Sequence, residues 1–232
     1  MAEIDKPQSF NKDHTINHDR DREPQLMGII LDWAKHLPPS PQGVIDLAAG
    51  FGVEVKELLT ASIPCLGQDS SNYMIQHACT PIREGLAEDL SQYAVNQFGG
   101  ALLKDSWIFL SPNQRTNMLK GLKQILVPQG SLLTISELNP EYFTRYQAKL
   151  GIFKYSTDSY AEFVIKTKNL RDHGLLKYLS TPSDTETLAE QSGFIFELIQ
   201  QYDEKNPLAE ESRWHGKLNL KSGFVAILTK KD

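Results

Sequence analysis

Apolar positions along the chain follow two alternating patterns. Residues 25–36 and 113–127 carry apolar side chains at the spacing of amphipathic helices. Other segments are too short for long helices, and we interpret them as strands at residues 44–47, 63–69, 81–86, 99–105, 131–137, 194–199 and 223–229. The alternation of helices and strands predicts an α/β fold.

The composition is that of an ordinary soluble globular protein. The 232 residues include 40% hydrophobic and 23% charged residues, with a net charge of −5, which favours one domain over residues 25–232 after a leader at 1–24. The basic residues are dispersed, so a nucleic-acid partner is not expected. The two cysteines form no C-x-x-C motif, and no segment is typical of a signal peptide or a membrane span. We therefore expect a cytoplasmic protein with no membrane association and no bound metal.

A strand followed by a glycine-rich turn at residues 43–52 is the most informative segment. Small residues at this turn allow backbone N–H groups to approach a ligand, and the next helix presents its positive N-terminus there. The dinucleotide pattern G-x-G-x-x-G is incomplete, because Val55 stands where the third glycine would be. Asp46 adds a carboxylate suited to a cationic ligand.

A second acidic residue ends the next strand. Asp69 lies about twenty residues beyond the turn, and a carboxylate there can accept hydrogen bonds from both hydroxyls of a ribose. Ser70 or Ser71 is expected to cap the helix that follows. The two acids and the turn predict a site for a nucleoside.

These residues resemble the motifs of class I S-adenosylmethionine-dependent methyltransferases. Residues 46–52 are similar to the first motif, with Ala48 where the family usually has glycine, and residues 67–75 to the second motif, G-x-D-x-S-x-x-M-[IL]. The turn and strand at 128–137 also resemble the family. Residues 85–90 are similar to its G-D-A-x-x-L segment, but Leu86 replaces the acid that contacts adenine, so that contact should be lost or supplied by Glu88 or Asp89.

The resemblance implies S-adenosylmethionine as cofactor and S-adenosylhomocysteine as product. Lys104 and Asp105 belong to the expected site because they follow a strand whose carboxyl end faces the ligand crevice. The cofactor contacts implied are Asp46, Ala48, Gly50, Gly52, Asp69, Ser70, Met74, Leu86, Ala87, Glu88, Lys104 and Asp105.

The resemblance also implies a Rossmann-like three-layer sandwich with a seven-stranded, mostly parallel sheet whose last strand is antiparallel. Residues 139–182 are rich in aromatic side chains, and we expect a small, mostly helical cap insertion over the substrate; the alternative is a homodimer surface. The leader is expected either to fold over the cofactor as a lid or to be solvated.

Transfer of a methyl group to a small-molecule acceptor is the predicted reaction. At most one of His18, His173 and His215 is expected to act as the base for a hydroxyl nucleophile. Candidates for substrate contact are His14, Arg22, Trp107, Tyr142, Tyr146 and Trp214. Two alternatives stay open: aminopropyl transfer from a decarboxylated cofactor, and a non-catalytic module that binds a nucleoside or a protein.

Overall fold

A central sheet of seven strands forms the frame of the protein. A computed structural model describes residues 24–137, 152–157, 160–165, 176–202 and 223–231. The sheet has the order β3-β2-β1-β4-β5-β10-β9. Its strands are β1 Val44–Asp46, β2 Cys65–Asp69, β3 Ile82–Glu84, β4 Phe98–Lys104, β5 Leu126–Glu137, β9 Phe194–Tyr202 and β10 Gly223–Lys230.

The pairing of these strands is parallel except at β10. β1 pairs in parallel with β2 and β4, β2 with β3, and β4 with β5, whereas β10 is antiparallel to both β5 and β9. This confirms the predicted seven-stranded sheet with an antiparallel last strand. Because β1 to β4 run in the same direction, Asp46, Asp69, Glu84 and Lys104 all end strands at one edge of the sheet.

Helices pack on both faces of the sheet and complete the three layers. They are α1 Pro24–Lys35, α2 Val53–Thr60, α3 Asn72–Gln76, α4 Pro112–Ile125 and α5 Pro182–Gln191, with a short 3-10 helix at Trp107–Phe109. Successive side chains of a strand point to opposite faces. Ile45 therefore packs with residues of α4 and α5, while its neighbour Val44 packs with residues of α1 and α2.

The insertion between β5 and α5 differs from the prediction. Its described parts are strands β6 Ile152–Thr157, β7 Tyr160–Ile165 and β8 Leu176–Leu179, which form a separate antiparallel sheet in the order β6-β7-β8. The expectation of a mostly helical cap is therefore wrong for these residues. Aromatic and β-branched residues favour strands, and the alternation of Phe153 and Tyr155 with polar neighbours is a period of two.

Candidate functional site

The glycine turn after β1 has a backbone conformation that favours glycine. Gly50 and Gly52 have φ of 52° and 74°, in the left-handed region. A Cβ at Gly52 would also lie 2.7 Å from Cγ2 of Thr80. The N–H of Ala49 donates to the carbonyl of Gln68 at 2.9 Å, which joins the turn to β2. The two glycines and this hydrogen bond therefore define the path of the turn.

Ala48 occupies the position where class I S-adenosylmethionine-dependent methyltransferases, the family that the sequence resembles, usually have glycine. It is not among the described residues with positive φ. Its side chain is partly buried against the hydrophobic core under α4. The alanine therefore fits this turn without backbone strain.

Asp69 joins the glycine turn to the start of α3. Its Oδ2 accepts a hydrogen bond from the N–H of Gly50 and its Oδ1 one from the N–H of Ser71, each at 2.8 Å. Burial raises the pKa of this carboxyl, while hydrogen bonds from the N–H groups of Ser71, Gly50 and Ser70 oppose the rise. The carboxylate is consequently fixed in orientation at the edge of the sheet.

The two serines after Asp69 have different environments. The side chain of Ser71 is the N-cap of α3 and accepts a hydrogen bond from the N–H of Met74 at 3.3 Å. Met74 is buried in the core. Ser70 is exposed and lines the cavity beside β3. Of the two candidates, Ser71 is the cap and Ser70 faces the cavity.

Several charged side chains lie together at the end of β4, close to the glycine turn. The ammonium of Lys104 lies 2.9 Å from Oδ2 of Asp105 and 3.5 Å from Oε1 of Glu54, which belongs to the first turn of α2. Asp46 is only 2% exposed. Burial and the charge of Glu54 raise the pKa of its carboxyl well above the ordinary value, whereas the N–H of Ala48 and the charge of Lys104 lower it. Sequence reasoning did not select Glu54, because its partner lies on a distant strand.

A cavity of about 410 Å³ opens at the carboxyl end of β2 and β3. Residues that line it include Ser70, Glu84, Leu86, Asp89, Gln92 and Tyr93. Ala87 is instead buried in the core, and Glu88 accepts a hydrogen bond from Nε2 of Gln114 at 2.7 Å. The side chain of Leu86 therefore offers no polar group to the cavity. Of the two acids that could replace the missing contact, Asp89 faces the cavity and Glu88 does not.

The buried amide of Gln68 supports the wall of this cavity. Its Nε2 donates to the carbonyl of Leu86 at 2.9 Å, and its Oε1 accepts from the hydroxyl of Tyr93 at 2.6 Å. Gln68 is fully buried, and both ends of its amide are paired, so it positions the loop after β3. The sequence indicated only a polar residue within a strand, and nothing in it marked the partners.

Trp107 lies in the core. It has no exposed surface, and its Nε1 donates to Oγ of Ser180 at 3.0 Å. Arg115 of α4 is also buried; its guanidinium donates to the carbonyls of Trp107 and Tyr178 and lies 5.0 Å from the centre of the indole ring. Arg115 was not predicted, although its place on the apolar stripe of α4 with Met118 and Leu119 was a signal. Contact between Trp107 and a substrate stays a prediction.

The remaining candidates lie outside the described residues. They are His14, His18, Arg22, Tyr142, Tyr146, His173, Trp214 and His215. Within the described ranges, no three side chains of His, Cys, Asp or Glu are grouped so as to hold a metal ion. None of the helices that the structure describes is long and apolar enough to cross a membrane.

The seven-stranded, mostly parallel sheet with its antiparallel strand has the fold of class I S-adenosylmethionine-dependent methyltransferases, as predicted. An S-adenosylmethionine-dependent methyltransferase from Archaeoglobus fulgidus is 12% identical, with a TM-score of 0.60 over 90% of this chain and 95% of that one. The PH0226 protein from Pyrococcus horikoshii OT3 is 15% identical, with a TM-score of 0.66 over 94% of each chain.

A third similar structure contains ligands. It is the 1,6-didemethyltoxoflavin-N1-methyltransferase from Burkholderia thailandensis, with 1,6-didemethyltoxoflavin and S-adenosylhomocysteine bound. It is 14% identical, with a TM-score of 0.58 over 92% of this chain and 80% of that one. No family model and no curated protein sequence matches the chain. These similarities establish the fold.

Proposed function

We propose that this protein is an S-adenosylmethionine-dependent methyltransferase that transfers a methyl group by direct displacement to an oxygen or nitrogen of a small molecule. The pair of hydrogen bonds that fixes Asp69 between Gly50 and Ser71 carries this proposal. It places an oriented carboxylate beside a glycine turn and next to the cavity behind Ser70. That combination suits a nucleoside whose ribose is held by the acid and whose tail passes over the turn.

The sulfonium of the cofactor supplies an already activated methyl group when it is bound. The residues of the chain are then required to align the acceptor and to exclude water. A hydroxyl acceptor would need a base, for which His18, His173 and His215 remain the predicted candidates. An amine or a carboxylate could react without a dedicated base. The methyltransferase of similar fold that was solved with 1,6-didemethyltoxoflavin supports a small-molecule acceptor.

Two other functions remain as alternatives within the same fold. Aminopropyl transfer would favour acidic residues around the end of β4, where Lys104 is also present. A non-catalytic nucleoside-binding module would be consistent with the loss of the acid at Leu86. The fit of Ala48 to the turn without strain favours an intact site over a degenerate one.

Calorimetry with S-adenosylmethionine and S-adenosylhomocysteine tests the proposal. We expect both to bind the wild type, and Asp69→Ala to weaken binding by about 1–3 kcal/mol because a buried, charge-assisted hydrogen-bond acceptor is lost. Asp184→Ala, at the exposed start of α5, is the control and should not change the affinity. Absence of binding at high micromolar concentration would refute the proposed cofactor. An Asp69→Ala variant that binds both ligands as tightly as the wild type does would refute the role of Asp69.

A further inference from the structure

Strand β9 is one of the two outer strands of the main sheet. Among the strands that the structure describes, it pairs with β10 alone. Its nine residues span about 30 Å, and over that length its outer side presents backbone N–H and C=O groups that no described strand meets. The other outer strand, β3, has only three residues, which include the exposed and charged Arg83 and Glu84. β9 is therefore the long open edge of the sheet.

The sequence of β9 has few of the features that usually protect an open edge. Proteins discourage further pairing at such an edge with lysine, proline or a β-bulge. β9 has the sequence Phe-Ile-Phe-Glu-Leu-Ile-Gln-Gln-Tyr, with no lysine or proline and with Glu197 as its one charged residue. Its register with β10 skips Ile199, which forms a bulge. Only this bulge and one charge oppose pairing with another strand.

Exposed apolar side chains lie on both faces of β9. Residues that pair across neighbouring strands share a face of the sheet. Leu198 pairs with Ala226, which packs with α4 and α5, and Ile195 pairs with Thr229 on the opposite face, where α1 packs. Leu198 is 42% exposed and Ile195 is 55% exposed. A helix could cover only one of these faces, whereas a further strand continues both, so the pattern favours a strand as partner.

A second copy of the chain is the partner that this edge fits. Antiparallel pairing of a strand with its own copy about a two-fold axis is self-complementary, because residue i meets residue j and j meets i. Full overlap of the nine residues puts the axis at Leu198 and places Glu197 opposite Ile199 of the partner subunit. Like charges directly opposite each other are destabilising, and this register avoids that arrangement for the two Glu197 carboxylates.

We propose that the protein forms a two-fold symmetric dimer in which β9 pairs in antiparallel orientation with β9 of a second copy. The seven-stranded sheets of the two copies then form one continuous sheet. This contact is a different surface from residues 139–182. It is independent of the proposed function, because β4, β5 and β10 separate β9 from β1 and the glycine turn.

Sedimentation equilibrium of the full chain over a range of concentrations tests the proposal. We expect the wild type to form a dimer that dissociates in the micromolar range. Leu198→Lys should weaken this dimer by about tenfold or more, because two buried leucine side chains are lost and two ammonium groups meet at the axis. Leu59→Lys is the matched control: Leu59 is 46% exposed on α2, far from β9, and its replacement should leave the dissociation constant unchanged.

Amide hydrogen exchange of the wild type gives a second measurement, which does not depend on the folding of any variant. Exchange at residues 194–202 should become slower as the protein concentration rises, because pairing buries the outer N–H groups of β9. Exchange at residues 82–84 of β3, the other outer strand, should not change. A wild type that stays monomeric at high micromolar concentration would overturn the proposal. A dimer that Leu198→Lys leaves intact, or exchange in β9 that is independent of concentration, would overturn it as well.

Discussion

Asp46 shows how a single residue connects the function of this site with the stability of the fold. Burial of Asp46 and the nearby charge of Glu54 raise the pKa of its carboxyl well above the ordinary value of 3.8. The folded protein therefore binds this proton more tightly than the unfolded chain does. It follows that folding stability falls as the pH rises from about 4 towards the raised pKa. A buried carboxyl whose ionisation costs stability in this way is a candidate for a functional role.

We expect Asp46→Asn to stabilise the protein at neutral pH, because the amide cannot ionise and can still accept the hydrogen bond from Ala48. The gain should be absent near pH 4 and grow as the pH rises towards 8, at about 2–4 °C in melting temperature for each kcal/mol. Melting curves of both proteins over this range provide the measurement. Asp89→Asn is the contrasting control, since hydrogen bonds from Ser91 lower the pKa of that exposed carboxyl. A constant difference between Asp46→Asn and the wild type at every pH would contradict the prediction.

At the scale of elements, the 3-10 helix after β4 is tied to the end of the insertion. Arg115 of α4 donates to the carbonyls of Trp107 and Tyr178, and Trp107 donates to Ser180. Residues 107–115 and residues 178–180, which are distant in sequence, thus share one buried set of hydrogen bonds. Because the 3-10 helix follows Lys104 and Asp105, these hydrogen bonds join the end of the insertion to the segment directly after the candidate site.

Replacing Arg115 by methionine should loosen this connection. The buried carbonyls of Trp107 and Tyr178 would each lose a hydrogen bond from a charged donor, and each such bond contributes about 1.5–3 kcal/mol, so we expect a lower melting temperature. We also expect faster amide hydrogen exchange at residues 107–110 and 176–180 than elsewhere in the chain. Lys120→Met, on the exposed side of the same helix, should change neither quantity. Unchanged exchange at residues 176–180 would show that Arg115 does not hold the insertion.

At the scale of the whole molecule, the candidate site is assembled from four strands and two helices. Its residues are contributed by β1, β2, β3, β4, α2 and α3, all at one edge of the sheet. Such a site exists only in the folded chain. Ligand binding is therefore linked to global unfolding, and a ligand should stabilise the protein as a unit.

We accordingly expect S-adenosylhomocysteine at about 100 times its dissociation constant to raise the unfolding free energy by about 2.7 kcal/mol. For a chain of this size, the melting temperature should rise by about 5–10 °C. Thermal denaturation followed by circular dichroism measures the change, and Asp69→Ala at the same ligand concentration should show a smaller one. A wild-type melting temperature that does not depend on saturating ligand would contradict a site shared among these strands.

The two acids and the glycines could be predicted from the sequence because their signals are local. Each of these residues lies at a strand end or in a turn that can be identified from its immediate neighbours in the sequence; they are Asp46, Gly50, Gly52 and Asp69. The seven-stranded, mostly parallel sheet with an antiparallel last strand was also predictable once these motifs were identified, whereas the order of its strands came from the structure. The separate sheet β6-β7-β8 was not predicted, because aromatic residues are compatible with a helical cap as well as with strands, and the alternation that favours strands covers only a few residues.

The sequence by itself thus determined the elements of the main sheet, the glycine turn and the two acids that end β1 and β2. Only the tertiary structure decided the partners of those residues: Glu54 beside Lys104, Gln68 beneath Leu86, and Arg115 between Trp107 and Tyr178. The physical reason is that turn and strand preferences act over a few neighbouring residues. The partners meet because parallel strands and their crossover helices bring distant segments to one edge of the sheet.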